Sequence, residues 1–230
     1  MSAEDTTGMA TQTVTHAGAT GQADQLQERL VAWVKGHRQA SSWIATALVV
    51  AAVLLIWTQA STRRSEAVAS RQLQGARFAF DNQNLPLAAS ELSRLVENYA
   101  GTNAAAEARL LLGQVRLAQG QPQQAVDVLR DFAPGAGAAY RAQAFGLLGA
   151  AYENLGKSKE AAEAYQAGAE RAPLDFLKAQ MLSDAGRAWT AAGDTAKAVA
   201  AYRRIVNELP KTSAVTEAKV RMGELSKGAS

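Results

Sequence analysis

Cysteine is absent from this 230-residue chain, and histidine occurs only at His16 and His37. Without cysteine there is no disulfide, thiolate metal site, cysteine nucleophile or lipidated N-terminal cysteine. Both histidines lie early, so the larger part of the chain cannot build a histidine acid–base pair or a histidine zinc site. Clustered cations are missing too. The net charge is +3, from 24 basic and 21 acidic residues. They are scattered, whereas phosphate affinity needs Lys and Arg gathered on one face. No nucleic-acid partner is expected. Finally, charge of either sign is missing between Arg38 and Arg63.

That last absence has a direct structural meaning. The 24 intervening residues would span about 36 Å as a helix at ~1.5 Å per residue, against a hydrocarbon core of about 30 Å. At the centre is WIATALVVAAVLLIW, residues 43–57, in which Thr46 is the one polar side chain between two tryptophans. Trp43 and Trp57 fall where interfacial aromatics sit. Thr58-Gln59-Ala60 is a passable signal-peptidase site, but a cleaved signal has a short basic head, and about 40 residues precede this run. The expectation is an uncleaved, single-pass transmembrane helix over 40–61. Ala47 and Ala51 make a weak small-xxx-small pair that could pack on another membrane helix.

Residues 1–22 are rich in Thr, Ala, Gly and Gln without periodicity and are expected to be a disordered tail. In 23–39, Leu26, Leu30, Trp33, Val34 and His37 recur at helical spacing, with Asp24, Glu28, Arg29, Lys35 and Arg38 largely on other faces. Two readings stand: an amphipathic juxtamembrane helix, or a helix packed on the chain's own domain. Arg29, Lys35 and Arg38 before the apolar run and Arg63, Arg64, Arg71 and Arg77 after it leave orientation undecided by charge.

The remainder is repetitive. Gly149, Tyr152, Gly156, Ala161, Tyr165 and Pro173 recur 37 residues later as Gly186, Trp189, Gly193, Ala198, Tyr202 and Pro210. Gly113, Gly120, Ala125 and Leu129 hold the same frame one unit earlier, after which FAPGAGAAY is expected to be a flexible loop in place of the closing proline. Ala76, Gln83, Ala88 and Leu92 fit loosely before that, and Met222-Gly223 begins one further first helix at 214–226. The physical logic is a helix hairpin. A small residue lets two helices approach, and a second glycine ends the first helix with positive φ. Asp194 or Thr195, Ser158 and Pro122 suit the start of the second helix. Tyr165 and Tyr202 are expected to pack against the next pair. Each pair leaves an apolar side that only its neighbour can bury.

This frame resembles the tetratricopeptide repeat. The resemblance implies an all-α chain: an N-terminal transmembrane helix, then an α-solenoid over 62–226 of about four helix-turn-helix repeats with a capping helix, and a tail at 227–230. The whole layout is similar to the YfgM-type ancillary subunit of the SecYEG translocon. That likeness implies an inner-membrane protein with a cytoplasmic N-terminus and periplasmic repeats, partnered by the translocon and a PpiD-type chaperone. Other readings of the layout are an envelope-assembly or cell-division scaffold, or a cytosol-facing membrane adaptor.

No catalytic, cofactor-binding or metal-binding residue is expected, and no small-molecule substrate. PGAGAAY lacks the lysine and hydroxyl of a phosphate loop. Glu91, Glu97, Glu153, Glu160, Glu163 and Glu170 read as solvated helix positions. Binding is the natural work of a solenoid, whose first helices line a groove. By analogy with the repeat, Arg77, Phe80, Leu110, Gln114, Leu117, Glu153, Arg187 and Thr190 would face it, with Phe80, Leu110 and Leu117 as an apolar floor; the alternative is that they pack inside the solenoid. Gly146, Ala150, Ser183, Arg187 and Thr190 stand where carboxylate-clamp domains carry lysine and asparagine, so recognition of a terminal carboxylate is not expected.

Overall fold

The computed structural model describes residues 38–227, except for the side chains of residues 38–42, 44, 45 and 48. The expected tail over 1–22 and almost all of the segment 23–39 lie outside the described residues. The chain divides into two compact units, residues 1–60 and 61–230. Helix α1 is Arg38–Asp81. In the first unit its described side chains from Trp43 to Trp57 are all exposed, Trp43 at 76% and Trp57 at 68%. Among the described residues, no helix is long and apolar enough to cross a membrane. The stretch expected as an anchor, 40–61, is only partly within that set, because the side chains of residues 40–42, 44, 45 and 48 lie outside it. The transmembrane expectation is therefore not shown by the described residues.

In the second unit α1 is followed by α2 (Leu85–Asn98), α3 (Asn103–Ala118), α4 (Pro122–Leu129), α5 (Phe132–Gly135), α6 (Ala138–Asn154), α7 (Ser158–Ala169), α8 (Asp175–Ala191), α9 (Thr195–Glu208) and α10 (Ala214–Lys227). The described residues of this unit are all helix and turn. One turn is used four times. Gly193 donates to Thr190 O at 3.0 Å and Asp194 to Trp189 O at 3.0 Å. This pair of bonds closes α8 with a left-handed residue. The same two bonds recur at Gly156-Lys157, Gly120-Gln121 and Gln83-Asn84. The residue that makes the second bond is in each case the N-cap of the next helix. No spacer is left, so the two helices of a pair must fold straight back on each other. Asn84 and Asp194 also accept from Leu87 N at 3.2 Å and Lys197 N at 3.0 Å. Ser158 is not a cap; α7 begins after Lys157, which makes no side-chain capping bond.

φ is +69° to +77° at Gly120, Gly156 and Gly193, and +60° at Gln83. A side chain at that φ costs about 1–2 kcal/mol, while glycine loses about 0.5–1 kcal/mol in chain entropy. Gln83→Gly is thus expected to stabilise the fold by about 0.5–1 kcal/mol, read as a higher urea midpoint at unchanged slope.

The close approach within each pair is a matched set of volumes. A Cβ on Gly149 would lie 2.6 Å from the Tyr165 ring, one on Gly186 2.6 Å from the Tyr202 ring, and one on Gly113 2.8 Å from Leu129. In the first pair Ala76 and Leu92 occupy these places, both buried in one cluster. Gly223 has nothing within 4 Å; among the described residues no second helix packs on α10 at this position. Tyr165 and Tyr202 therefore pack first on their own pair. They still reach the next one: Tyr165 shares a cluster with Ala185, Ala188 and Trp189, and Tyr202 with Ala218 of α10.

The core runs along the stack as four clusters, each built from neighbouring pairs. FAPGAGAAY is not a loose loop. Its FAPG forms the single turn α5 and its AAY begins α6, and Ala133 and Ala136 are buried. Small apolar side chains here fill the joint that proline closes elsewhere. At the first joint the Glu66 carboxylate accepts from Asn103 N at 2.8 Å and Ala104 N at 2.9 Å, capping α3 from α1. At the last, Arg204 of α9 joins Glu208 at 2.8 Å and Glu170, the C-cap of α7, and Lys178 of α8 joins Glu208 at 2.7 Å.

Arg204, and then Lys178, hold the Glu208 carboxyl down to about 2. A carboxyl depressed in the folded state stabilises it above the unfolded value, about 4.3. That contribution fades as pH falls toward 2. Glu208→Gln is expected to flatten the acid limb of the urea midpoint between about pH 4.5 and 2 and to leave its slope near neutrality unchanged. Solvent around the group keeps the effect modest.

Candidate interaction groove

The repeat frame carries one triplet of positions on each first helix to a common face. Ser70, Gln74 and Arg77 of α1 line one cleft with Glu107 of α3. Arg77, Glu107, Leu111 and Gln114 line the next, with Tyr140 and Gln143 of α6. Further along, Gln180, Asp184 and Arg187 of α8 face Glu217, Arg221 and Glu224 of α10 across a cleft of about 840 Å³. Neighbouring triplets are one repeat apart, so the groove is a property of the repeat and not of any single motif.

Of the residues expected at the groove, Arg77 and Gln114 line its N-terminal part and Arg187 and Thr190 its C-terminal part. Glu153 joins them through Arg187. Leu110 touches the groove only at an edge and is 4% exposed, packed with Phe145 and Leu148. Phe80 and Leu117 are half-buried against the first and second clusters. The three side chains expected as an apolar floor therefore pack wholly or partly against the core. Phe80, Leu117, Glu153 and Thr190 share one repeat position, three residues beyond the groove triplet: its apolar members pack against the core, while Thr190 lines the cleft and Glu153 pairs with Arg187.

The C-terminal end is the most charged part. Arg187 donates to Asp184 at 2.9 Å and also pairs with Glu153. Glu153 in turn accepts from the Tyr165 hydroxyl at 2.7 Å. Burial pushes the Tyr165 phenol up, and the Glu153 bond adds to it. Burial also raises the Asp184 carboxyl, against the opposing pull of Arg187. The bond to Asp184 in turn holds the Arg187 guanidinium above its ordinary value. On α10, Arg221 pairs with Glu224 at 3.1 Å and Glu217 at 3.8 Å. Phe176 stands at the rim, 64% exposed. Asp184, Glu217, Arg221 and Glu224 were not among the expected groove residues. The frame itself could have found the α10 set, since the triplet of α8 moved on by 37 residues lands on Glu217, Arg221 and Glu224.

Among the described residues no group of acidic or histidine side chains could hold a metal. Stacked antiparallel pairs with a groove lined by every first helix define an α-solenoid interaction scaffold. The chain belongs to the tetratricopeptide repeat-like domain family, which matches residues 59–183, and a further tetratricopeptide repeat matches residues 182–212. Proteins of this class are interaction scaffolds, and no catalytic family is indicated. The fold is shared with MamA, at a TM-score of 0.54 and 19% identity, over 67% of this chain and 84% of that one. It is shared with a tetratricopeptide repeat protein from Parabacteroides merdae, at 0.57 and 14%, over 70% and 60%. No characterised protein matches the sequence at a significant level.

Proposed function

We propose that this chain is a membrane-tethered tetratricopeptide interaction module, an accessory subunit of the Sec translocon. In this reading the run 40–61 spans the inner membrane once, the N-terminus is cytoplasmic, and the repeats serve in the periplasm beside a PpiD-type chaperone. The observation that carries the tether is the apolar, solvent-facing stretch of α1, with Val53, Leu55, Ile56 and Trp57 all more than half exposed. A helix apolar all round is not stable facing water. Burying each such side chain is worth about 1.5–3 kcal/mol, which favours lipid or another membrane helix as its cover. The translocon assignment rests on the order of segments, which is similar to the YfgM-type family. A tether would also raise the local concentration of the groove beside a membrane complex.

The test is protease accessibility of the repeats in intact and lysed spheroplasts, followed by crosslinking and purification in detergent. Digestion before lysis, with translocon subunits crosslinked, is the expected result. Protection until lysis would instead favour a cytosol-facing adaptor. Capture of cell-wall or outer-membrane assembly proteins without the translocon would favour an envelope-assembly scaffold.

A further inference from the structure

We propose that the C-terminal end of the groove selects a basic polypeptide segment. This rests on the reading of the chain as an interaction module and names the chemistry of its partner. The cleft between α8 and α10 carries the carboxylates of Asp184, Glu217 and Glu224 against the guanidiniums of Arg187 and Arg221. A fourth carboxylate, Glu153, already claims Arg187. Both arginines are thus engaged by carboxylates of the site, and negative charge is left in excess. The sign is opposite to that of the chain, which is +3 overall. The half-buried Asp184 carboxylate is poorly solvated, so an incoming ammonium or guanidinium gains more there than at an exposed carboxylate. The exposed ring of Phe176 and the edge of Leu225 give the cleft an apolar margin. Phe176 offers that margin for a flanking hydrophobic residue, or a face for the cation itself.

The N-terminal part of the groove differs. Its clefts are lined by one ion pair, Arg77 with Glu107, and by one further carboxylate, Glu66, which is already engaged by the backbone N–H groups of Asn103 and Ala104. Between them, Gln143, Leu147 and Ala150 occupy the triplet of α6 and bring no charge. The acidic excess is therefore greatest at the α8–α10 end, and selection by charge acts there. An acidic or carboxylate-terminated segment would face Glu217 and Glu224 as like charges, and such juxtaposition disfavours the wrong partner.

The test uses the full chain in detergent micelles and three fluorescent dodecapeptides. These share the same Leu, Phe, Ala and Gly residues and differ in three positions, all Lys, all Ser or all Glu. The Lys probe is expected to bind at least tenfold tighter than the Glu probe, with affinity falling as salt rises. Glu217→Lys/Glu224→Lys, at two exposed sites, is expected to abolish or reverse that order while leaving the thermal unfolding midpoint within a few degrees. Equal binding of the three probes, no binding of any, tighter binding of the Glu probe, or an unchanged order in the double variant would each overturn the proposal. Crosslinked partners recovered alongside such a result would leave the interaction-module reading intact.

Discussion

Gly186→Ala is expected to lower stability by about 1–3 kcal/mol, although alanine is the better helix former by about 0.8–1 kcal/mol. The new Cβ would lie 2.6–2.8 Å from three atoms of the Tyr202 ring. That ring is buried in a cluster with Leu182, Ile205 and Ala218, so it cannot swing clear. The remedy is visible in the first repeat, where Ala76 stands at the glycine position and Leu92 at the tyrosine position. Gly186→Ala/Tyr202→Leu should therefore lose less than the sum of the two single changes. A double-mutant cycle from urea unfolding measures this coupling. Gly223→Ala is the control, because open space surrounds that position; it should stabilise by up to ~1 kcal/mol. If Gly186→Ala matched Gly223→Ala, close approach would not be the reason for the glycine.

The second large effect is expected at Trp189, which is 2% exposed. It sits where the third and fourth pairs meet, with Ala161, Ala162 and Tyr165 on one side and Ala198 and Ala201 on the other. Lys197 Nζ lies 4.2 Å from its ring centroid. Trp189→Ala should cost about 3–5 kcal/mol, a fall in melting temperature of roughly 10 °C for a domain of this size. Because repeat stacks are held by nearest-neighbour interfaces, the loss should also separate unfolding of the last pair from the rest. Trp189→Phe should be much milder. The indole Nε1 is buried without a hydrogen-bond partner among the described residues, so removing it relieves an unsatisfied donor worth about 1–3 kcal/mol while an aromatic ring stays in place. A single sharp transition for Trp189→Ala at the wild-type temperature would show that the joint does not hold the last pair.

Proteolysis would report the same joint from the functional side. With the α8–α10 end detached, the cleft that joins Asp184 and Arg187 to Glu217 and Arg221 no longer exists. Binding there should be lost with the earlier transition, that of the last pair, while the N-terminal cleft around Arg77 and Gln114 persists until the rest unfolds.

The sequence by itself determined the helix pairs, their turns and their small-to-large matches. Each depends on contacts a few residues to one repeat apart, so it leaves a periodic trace: glycine for a left-handed turn, glycine or alanine beneath a bulky side chain. It also carried Arg77, Gln114 and Arg187 to the groove, because a fixed repeat puts equivalent residues on one face. Only the tertiary structure decided the rest. Leu110 is buried, and Phe80 and Leu117 pack partly against the core while Thr190, at the same repeat position, lines the cleft, so the apolarity of the side chain and its neighbouring pair, and not the repeat register alone, settle how it packs. FAPGAGAAY became an ordered turn anchored by the buried side chains of Ala133 and Ala136, which fill the gap between neighbouring pairs. The net sign of the C-terminal cleft was decided by pairing: Glu153 reaches Arg187 across 34 residues, a distance in the chain over which no local pattern tells which charges meet.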